Sequence, residues 1–239
     1  MIKEGVLLDP KIIVALDMSS QDTVMRCVRK LSPEHCRVKV GKELFTSLGP
    51  KIIEELTALG FSIFLDLKFH DIPATVRKAC AVARDLGVWM VNVHASGGRA
   101  MIEAAREGVG YETDRPLLIG VTILTSLDDV SLLEIGYKEP TKPTVIKLAS
   151  LASEAGADGV VCSAQEAFKI REKFGKKFVS VTPGIRPAGT SINDQRRIMT
   201  PLDAINLGAD YLVIGRPITE ASNPQEVVAA INKEIRVAG

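Results

Sequence analysis

Three charged residues lie close together in segment 64–75, which reads FLDLKFHDIPAT. Asp66 and Lys68 are two residues apart, so on a β-strand their side chains leave the same face. Asp71 follows where this strand should end, because Pro73 suits the first turn of a helix. Carboxylates beside an amine favour its ammonium form, which can donate a proton. The spacing therefore predicts an acid catalytic centre with Lys68 as the proton donor.

Two further ionisable residues stand at comparable positions in apolar runs. Asp17 closes the run KIIVALD, and Lys39 lies in RVKVG. Charged groups rarely enter a protein interior without partners or a function, because removing each from water is costly. We predict that both residues join Asp66, Lys68 and Asp71 in one catalytic cluster. A structural ion-pair network is the alternative, above all for Asp17.

Other chemistries fit this cluster less well. A Schiff-base aldolase needs a neutral amine, which neighbouring carboxylates disfavour. Asp66 and Asp71 could bind Mg²⁺ or Zn²⁺, but an ammonium group between them repels a divalent cation. The sequence has three histidines, of which His70 fits a structural role and His94 fits either the pocket wall or the scaffold. We therefore predict no metal site and no organic cofactor.

The elements that must position these residues are short apolar runs rich in Val and Ile, which alternate with longer amphipathic stretches. This alternation is typical of βα units and a parallel sheet. Eight units can be counted, so we predict a (β/α)8 TIM barrel in one domain over residues 1–239, with a doubly wound sheet as the competing fold. The predicted strands begin near Lys11, Cys36, Phe61, Val88, Pro116, Ala157, Lys177 and Ala209.

Glycine precedes four of the predicted strands, in Leu-Gly or Gly-Ala-Asp sequences. Glycine accepts the left-handed conformation that closes a helix before the chain turns back into a sheet. The pattern therefore predicts the helix ends at Gly60, Gly87, Gly156 and Gly208.

Composition and charge exclude several classes of protein. The chain has 30 Lys and Arg against 29 Asp and Glu, so its net charge of +1 gives no broad field for nucleic acid or an anionic membrane. No signal peptide or membrane-spanning apolar stretch is evident. The four cysteines form no CxxC pair, which indicates reduced packing residues. We predict a cytoplasmic protein without nucleic-acid or membrane partners.

Two loops near the end of the chain carry the residues of a phosphate site. The loop after strand eight reads IGRPIT, where Gly215 permits close backbone approach and Arg216 offers paired donors to phosphate oxygens. The loop after strand seven reads TPGIRP, contains Arg186 and opens a polar stretch through Gln195 to Pro201. Such a stretch is typical of a lid over bound ligand, with a disordered insertion as the alternative. Barrels often hold phosphate in these two loops, so we predict a phosphorylated substrate.

Taken together, these segments resemble the bacterial type of the orotidine 5′-monophosphate decarboxylase family. The resemblance covers nearly the whole chain, through IIVALD, VKVG, DLKFHDIPAT, ILTS, VTPGIRP and VIGRPIT. The D-x-K-x-x-D spacing alone is shared with related sugar-phosphate decarboxylases, but its combination with the other segments is highly specific. One departure is Ala74, where many relatives have Asn, and it affects only a contact at a helix start.

The resemblance implies a role for each member of the charged cluster. Lys68 would be the proton donor, and Asp66 would lie beside the departing carboxylate of the substrate. Lys39 would hold Asp66 and a ribose hydroxyl, and Asp17 would bind the ribose. Asp71 would reach across a dimer interface into the neighbouring subunit's site.

The resemblance also implies contacts with the rest of the substrate. Thr75 would cross the dimer interface together with Asp71, Thr125 would contact the pyrimidine, and Gln195 would link base and phosphate. The phosphate would be held by Arg186, Gly215 and Arg216, and the whole implied binding set is Asp17, Lys39, Ile72, Thr75, Thr125, Arg186, Gln195, Gly215 and Arg216.

The implied activity is decarboxylation of orotidine 5′-monophosphate to uridine 5′-monophosphate, the last step of pyrimidine nucleotide synthesis, in a homodimer with shared active sites. The chemistry would need neither metal nor cofactor. A magnesium-dependent sugar-phosphate decarboxylase or aldolase of the same barrel group is the enzymatic alternative. A non-catalytic sensor of phosphorylated ligands is the other, although it has no need for the charged cluster.

Overall fold

The computed structural model describes residues 9–187 and 199–236. Eight parallel strands close into a barrel in chain order, so that β1 pairs with both β2 and β8. This confirms the predicted (β/α)8 barrel and excludes the doubly wound sheet, which would leave two open edges. The strands are β1 (Ile12–Ala15), β2 (Arg37–Gly41), β3 (Ile63–Phe69), β4 (Met90–His94), β5 (Leu117–Val121), β6 (Gly159–Val161), β7 (Val179–Thr182) and β8 (Tyr211–Ile214).

Helices follow the strands and cover the outside of the barrel. Each buries one stripe of side chains; in α5 this stripe includes Met101, Ile102, Ala105 and Val109, which recur at helical spacing. The helices are α1 (Gln21–Val28), α2 (Lys42–Leu48), α3 (Lys51–Ala58), α4 (Pro73–Asp85), α5 (Arg99–Val109), α6 (Asp129–Glu134), α7 (Thr141–Glu154), α8 (Ala164–Phe174), α9 (Pro201–Asn206), α10 (Arg216–Thr219) and α11 (Pro224–Arg236).

The alternation of side chains along each strand separates two cores. In β1, Ile12 and Val14 belong to the layer between barrel and helices, whereas Ile13 belongs to the cluster inside the barrel. Apolar side chains therefore fill the barrel interior, and chemistry is left to the ends of the strands. The inner cluster consists of Ile13, Phe64, Met90, Ile119, Val181 and Tyr211.

The glycine pattern is confirmed at all four predicted helix ends. Gly60, Gly87, Gly156 and Gly208 have φ angles of 87°, 72°, 89° and 95°. These angles lie in the left-handed region, which other residues adopt only with strain. Glycine thus turns the chain from each helix back to the start of the next strand.

Candidate active site

A cavity of about 820 Å³ opens at the carboxyl ends of the strands. Its wall comes from β1, β2, β3 and β5 to β8 or from the loops that follow them. This is the end of the barrel where the βα loops build active sites. The residues on which the chemistry of the wall depends are Asp17, Lys39, Asp66, Lys68, Thr125, Arg186, Gly215 and Arg216.

Four of the five predicted cluster residues form a continuous chain of alternating charge on one side of this cavity. Lys39 Nζ lies 2.8 Å from Asp17 Oδ1 and 3.3 Å from Asp66 Oδ2. Lys68 Nζ lies 2.6 Å from Asp66 Oδ1. The order is therefore Asp17, Lys39, Asp66, Lys68, with both ammonium groups sharing the central carboxylate. Gly41 leaves room for the Lys39 and Asp17 side chains, because an added Cβ would lie 3.0 Å from Lys39 Nζ and 3.1 Å from Asp17 Oδ1.

The two buried members of the cluster are held in their charged forms. Asp66 and Lys39 are each 7% exposed, and burial alone would raise the pKa of Asp66 and lower the pKa of Lys39. The charges of Lys39 and Lys68 outweigh burial and lower the pKa of Asp66 below its ordinary value. The charges of Asp66 and Asp17 likewise raise the pKa of Lys39. The cluster therefore keeps a fixed array of full charges beside the cavity.

Sequence reasoning missed Asn92, which ties this cluster together from β4. Its side chain is fully buried, its Nδ2 donates to Asp66 Oδ1 at 2.7 Å, and its Oδ1 accepts from the backbone N–H of Lys68 at 2.8 Å. The available signal was a polar residue in the middle of the apolar run VWMVNVH. An amide suits the position because it has both a donor and an acceptor.

The end of β3 departs from the regular alternation expected of a strand. Lys68 has a φ of 51°, in the left-handed region, and the pairing of β3 with β4 shifts register between Leu65 and Phe69. Lys68 still reaches Asp66, as the two-residue spacing predicted. The bulge, rather than simple alternation, therefore directs the end of this strand.

Asp71, Ile72 and Thr75 lie outside this cavity in the single chain. All three are exposed, Ile72 to 66%, and none contributes to the cavity wall. Asp71 Oδ1 accepts a hydrogen bond from the backbone N–H of Ile72 at 2.6 Å. Within one chain, then, the structure does not bring Asp71 to Lys68, because it follows the strand end onto the outer rim.

The opposite side of the cavity carries two guanidinium groups. Arg186, from the loop after β7, is 8% exposed and donates to the carbonyl of Ile185 at 3.0 Å, while its buried Nε has no partner among the residues that the structure describes. Burial, and then the nearby charge of Arg216, lowers the pKa of Arg186. Two cations facing one cavity favour an anionic ligand, because it would offset both their repulsion and their desolvation. Gln195 lies outside the described residues.

Two histidines, His70 and His94, lie beside the cavity and do not form part of its wall. The rings of His70 and His94 lie 5.3 Å apart, and His94 does not line the cavity. Burial first, and then the charges of His70, Lys42 and Lys68, lowers the pKa of His94 to about 4. His94 is therefore neutral near pH 7 and belongs to the scaffold behind the charged cluster.

The described ranges, residues 9–187 and 199–236, lack both a metal-binding cluster and a membrane-spanning helix. They contain no group of three or more His, Cys, Asp or Glu residues placed to hold a metal ion. No helix in these ranges is long and apolar enough to cross a membrane. The four cysteines, Cys27, Cys36, Cys80 and Cys162, are buried free thiols.

Comparison with known proteins agrees with the site. Residues 10–231 match the model of the orotidine 5′-phosphate decarboxylase / HUMPS family. Orotidine 5′-phosphate decarboxylase of Aliivibrio fischeri (strain MJ11) is 56% identical over 225 residues, which are 94% of this chain and 96% of that protein. The same enzyme of Vibrio campbellii is 55% identical over 230 residues, covering 96% of this chain and 99% of that one.

Solved structures extend the likeness to three dimensions. The crystal structure of orotidine 5′-phosphate decarboxylase from Lactobacillus acidophilus superimposes with a TM-score of 0.84 at 42% identity, covering 95% of this chain and 99% of that chain. A match of family model, sequence and barrel over nearly the whole length leaves one assignment. The chain belongs to the orotidine 5′-phosphate decarboxylase / HUMPS family.

Proposed function

We propose that this chain decarboxylates orotidine 5′-monophosphate to uridine 5′-monophosphate, the last step of pyrimidine nucleotide synthesis. The observation that carries the proposal is the chain of charge from Asp17 through Lys39 and Asp66 to Lys68, which borders a cavity of about 820 Å³ in a member of this family. A cavity of this size suits a mononucleotide. No observation favours the aldolase or sensor alternatives.

The reaction breaks the bond between the pyrimidine ring and its carboxyl group. Carbon dioxide leaves, the electron pair stays on the ring carbon, and a proton must then reach that carbon. In our proposal the Lys68 ammonium stabilises the developing charge and delivers the proton. Its distance of 2.6 Å from Asp66 supports this role, because the carboxylate orients the ammonium group.

Asp66 and Lys39 prepare the site for that step. Asp66 lies beside the departing carboxylate in this proposal, and Lys39 holds Asp66 and a ribose hydroxyl, with Asp17 at the ribose. The fixed ammonium groups also argue against a catalytic divalent cation, since such an ion would meet two positive charges at Asp66. We therefore propose a reaction that uses neither metal nor organic cofactor.

The guanidinium groups of Arg186 and Arg216 hold the phosphate in this proposal, with Gly215 allowing close approach of the backbone. The Nε of Arg186, which is buried and has no partner within residues 9–187 and 199–236, supports an anionic ligand there. Thr125, in the cavity wall, faces the pyrimidine. Binding energy from the remote phosphate contributes to holding the reacting carbon against Lys68. Gln195 would link base and phosphate.

We further propose a cytoplasmic homodimer, formed by a single-domain barrel of residues 1–239, in which Asp71, Ile72 and Thr75 complete the partner's site. Their exposure on the rim, away from their own cavity, supports donation to a second chain. The four free thiols support a reducing compartment. The net charge of +1 supports the absence of nucleic-acid binding.

The test of the function is an assay with orotidine 5′-monophosphate in the presence of EDTA. We expect the orotate absorbance to decay with release of carbon dioxide, at the same rate with and without the chelator. The magnesium-dependent alternative predicts a loss of activity that added Mg²⁺ restores. Absence of decay at micromolar enzyme would reject the assignment.

The test of the shared site uses two inactive variants, Lys68→Ala and Asp71→Ala, whose subunits are allowed to exchange. In a mixed dimer one site carries both lesions and the other carries none. Random pairing makes about half the dimers mixed, so roughly a quarter of all sites should regain activity. If both residues served the same chain's site, every site would keep a lesion and exchange would restore nothing.

A further inference from the structure

Asn92 of β4 lies opposite three residues of the neighbouring strand β3, where a regular pairing would place one. Leu65 of β3 pairs with Val91 of β4, and Phe69 pairs with Val93. The segment 66–68 therefore lies opposite Asn92 alone, and the regular ladder of backbone hydrogen bonds is interrupted there. Both ends of the Asn92 amide fill this gap, since one contacts the Asp66 carboxylate and the other the Lys68 backbone.

The backbone of Lys68 needs such support. Its φ of 51° lies in the left-handed region, which costs a residue with a side chain free energy that the surroundings must offset. The side-chain Oδ1 of Asn92 accepts a hydrogen bond from the Lys68 backbone N–H at 2.8 Å, where a regular strand would use a backbone carbonyl as acceptor. Loss of this acceptor would leave the part-buried Lys68 N–H unsatisfied and remove a contact that stabilises the left-handed conformation.

The other end of Asn92 fixes the plane of the Asp66 carboxylate. Oδ1 of Asp66 receives both Asn92 Nδ2, at 2.7 Å, and Lys68 Nζ, at 2.6 Å. Oδ2 is left facing Lys39 Nζ at 3.3 Å. A carboxylate held by two donors on one oxygen cannot rotate without breaking a buried hydrogen bond, so each ammonium keeps its own oxygen.

We propose that Asn92 is a positioning residue for proton transfer, because it holds Lys68 in its left-handed conformation and fixes Asp66 between the two ammonium groups. Asn92 is fully buried and does not line the cavity, so it acts through these residues rather than on the substrate. The inference rests on the proposed decarboxylase function.

The test compares Asn92→Leu with a matched control, Thr182→Val. Thr182 is also fully buried at a strand end and absent from the cavity wall, and its hydroxyl has no partner in the part of the chain that the structure describes. We expect Asn92→Leu to lower kcat by about 100-fold, because misplacing a reacting group by roughly 1 Å has an effect of that size. KM should stay within about threefold, and Thr182→Val should keep both constants near wild type.

A purely structural role would lower the thermal stability of Asn92→Leu and leave its kcat per folded molecule unchanged, and that result would overturn the proposal. If Asn92→Leu does not fold, Asn92→Asp and Asn92→Ser decide by the same criterion, because neither adds bulk and both remain polar. An unaltered kcat in the variants that fold would reject the positioning role.

A second measurement does not depend on the substrate. A crystal structure of Asn92→Leu, or of the polar variant that folds, should show Lys68 outside the left-handed region and its Nζ displaced from Asp66. An unchanged Lys68 conformation would contradict the inference. Failure of the wild-type protein to decarboxylate orotidine 5′-monophosphate would instead reject the proposed function, while this structural result would still stand or fall separately.

Discussion

The two ends of the barrel both hold paired charges, but they use them differently. At the amino ends of the strands, which we call the barrel floor, Asp158 receives two hydrogen bonds of 2.7 Å from Arg115 and a third of 2.7 Å from the backbone N–H of Leu118. Asp210 repeats the arrangement with Arg171 and the backbone N–H of Ser180. Each floor carboxylate thus ties a strand start to a guanidinium group.

The floor is also closed by stacked side chains. The guanidinium group of Arg37 lies 4.0 Å from the centre of the Trp89 ring, which meets Tyr211 edge-on at 5.0 Å. Asp9 accepts from Arg37 at 2.6 Å and from the Tyr211 hydroxyl at 3.1 Å. Although Arg115 borders a second cavity of about 370 Å³, Asp158 does not line it, and the charges here are paired with one another, so they hold the barrel together.

At the carboxyl ends the same residue types meet an open cavity. Asp66 is partnered by two ammonium groups and an amide, and Lys68 lines the cavity wall. A carboxylate paired with cations is therefore not by itself a sign of catalysis. What separates the ends is whether the central carboxylate of the network lines a cavity, as Asp66 does and Asp158 does not.

Of the substitutions that compare matched carboxylates at the two ends of the barrel, Asp66→Asn should have the largest effect. The neutral amide would leave Lys39 and Lys68 without their shared counter-charge, so the ammonium groups would repel each other and lose their orientation. We expect kcat to fall by about 10³-fold or more. Steady-state assays on a variant with a cooperative thermal transition measure it, and a kcat within tenfold of wild type would place the chemistry elsewhere.

Arg216→Ala tests the phosphate side of the same cavity. Loss of a charge-assisted pair of hydrogen bonds should lower kcat/KM for orotidine 5′-monophosphate by about 100-fold. The dephosphorylated nucleoside should lose little, because it cannot use the guanidinium group. Equal losses on both substrates would remove Arg216 from the phosphate site.

Asp158→Asn is the equivalent substitution at the barrel floor, where a carboxylate is again replaced by an amide. Arg115 and Arg106 would lose the carboxylate that they share, so we expect the free energy of unfolding to fall by about 2 kcal/mol and Tm by roughly 4–8 °C. The kcat of the folded variant should equal that of wild type. A loss of turnover as large as that of Asp66→Asn would erase the distinction between the two ends.

The smallest effect concerns His94. Its pKa of about 4 in the folded chain lies below its ordinary value, so the unfolded chain binds this proton first as the pH falls. Its contribution to stability is therefore complete above about pH 6.5 and is lost between there and pH 4. His94→Gln should reduce the pH dependence of unfolding over this window by about 1 kcal/mol. Urea titrations at several pH values measure it, and equal slopes for both proteins would contradict it.

The sequence predicted the architecture well, because periodic apolar runs and helix-ending glycines report local structure directly. All eight predicted strand starts lie within three residues of the observed ones. It also predicted that Asp17, Lys39, Asp66 and Lys68 would meet, since strand ends converge in a barrel.

Other features depend on tertiary structure that no short pattern encodes. Asn92 acts across a register shift, and the left-handed Lys68 runs against the ordinary preference of a residue with a side chain. In the two Gly-Ala-Asp segments the glycine predicts the end of a helix. The roles of Asp158 and Asp210 depend on partners from other elements, which the segments themselves do not indicate. In the proposed dimer, the position of Asp71 relative to Lys68 depends on a second chain.

The central claim, that Lys68 performs the chemistry rather than binding, is tested most directly by a single turnover. The Lys68→Ala variant is mixed in excess over orotidine 5′-monophosphate with EDTA present, and Asp158→Asn serves as the reference. Because enzyme exceeds substrate, neither product release nor weak binding limits the measured rate. We predict that Asp158→Asn reacts at the wild-type rate. Lys68→Ala should react at least about 10⁴-fold more slowly while still binding uridine 5′-monophosphate. A single-turnover rate for Lys68→Ala within tenfold of wild type would contradict the claim.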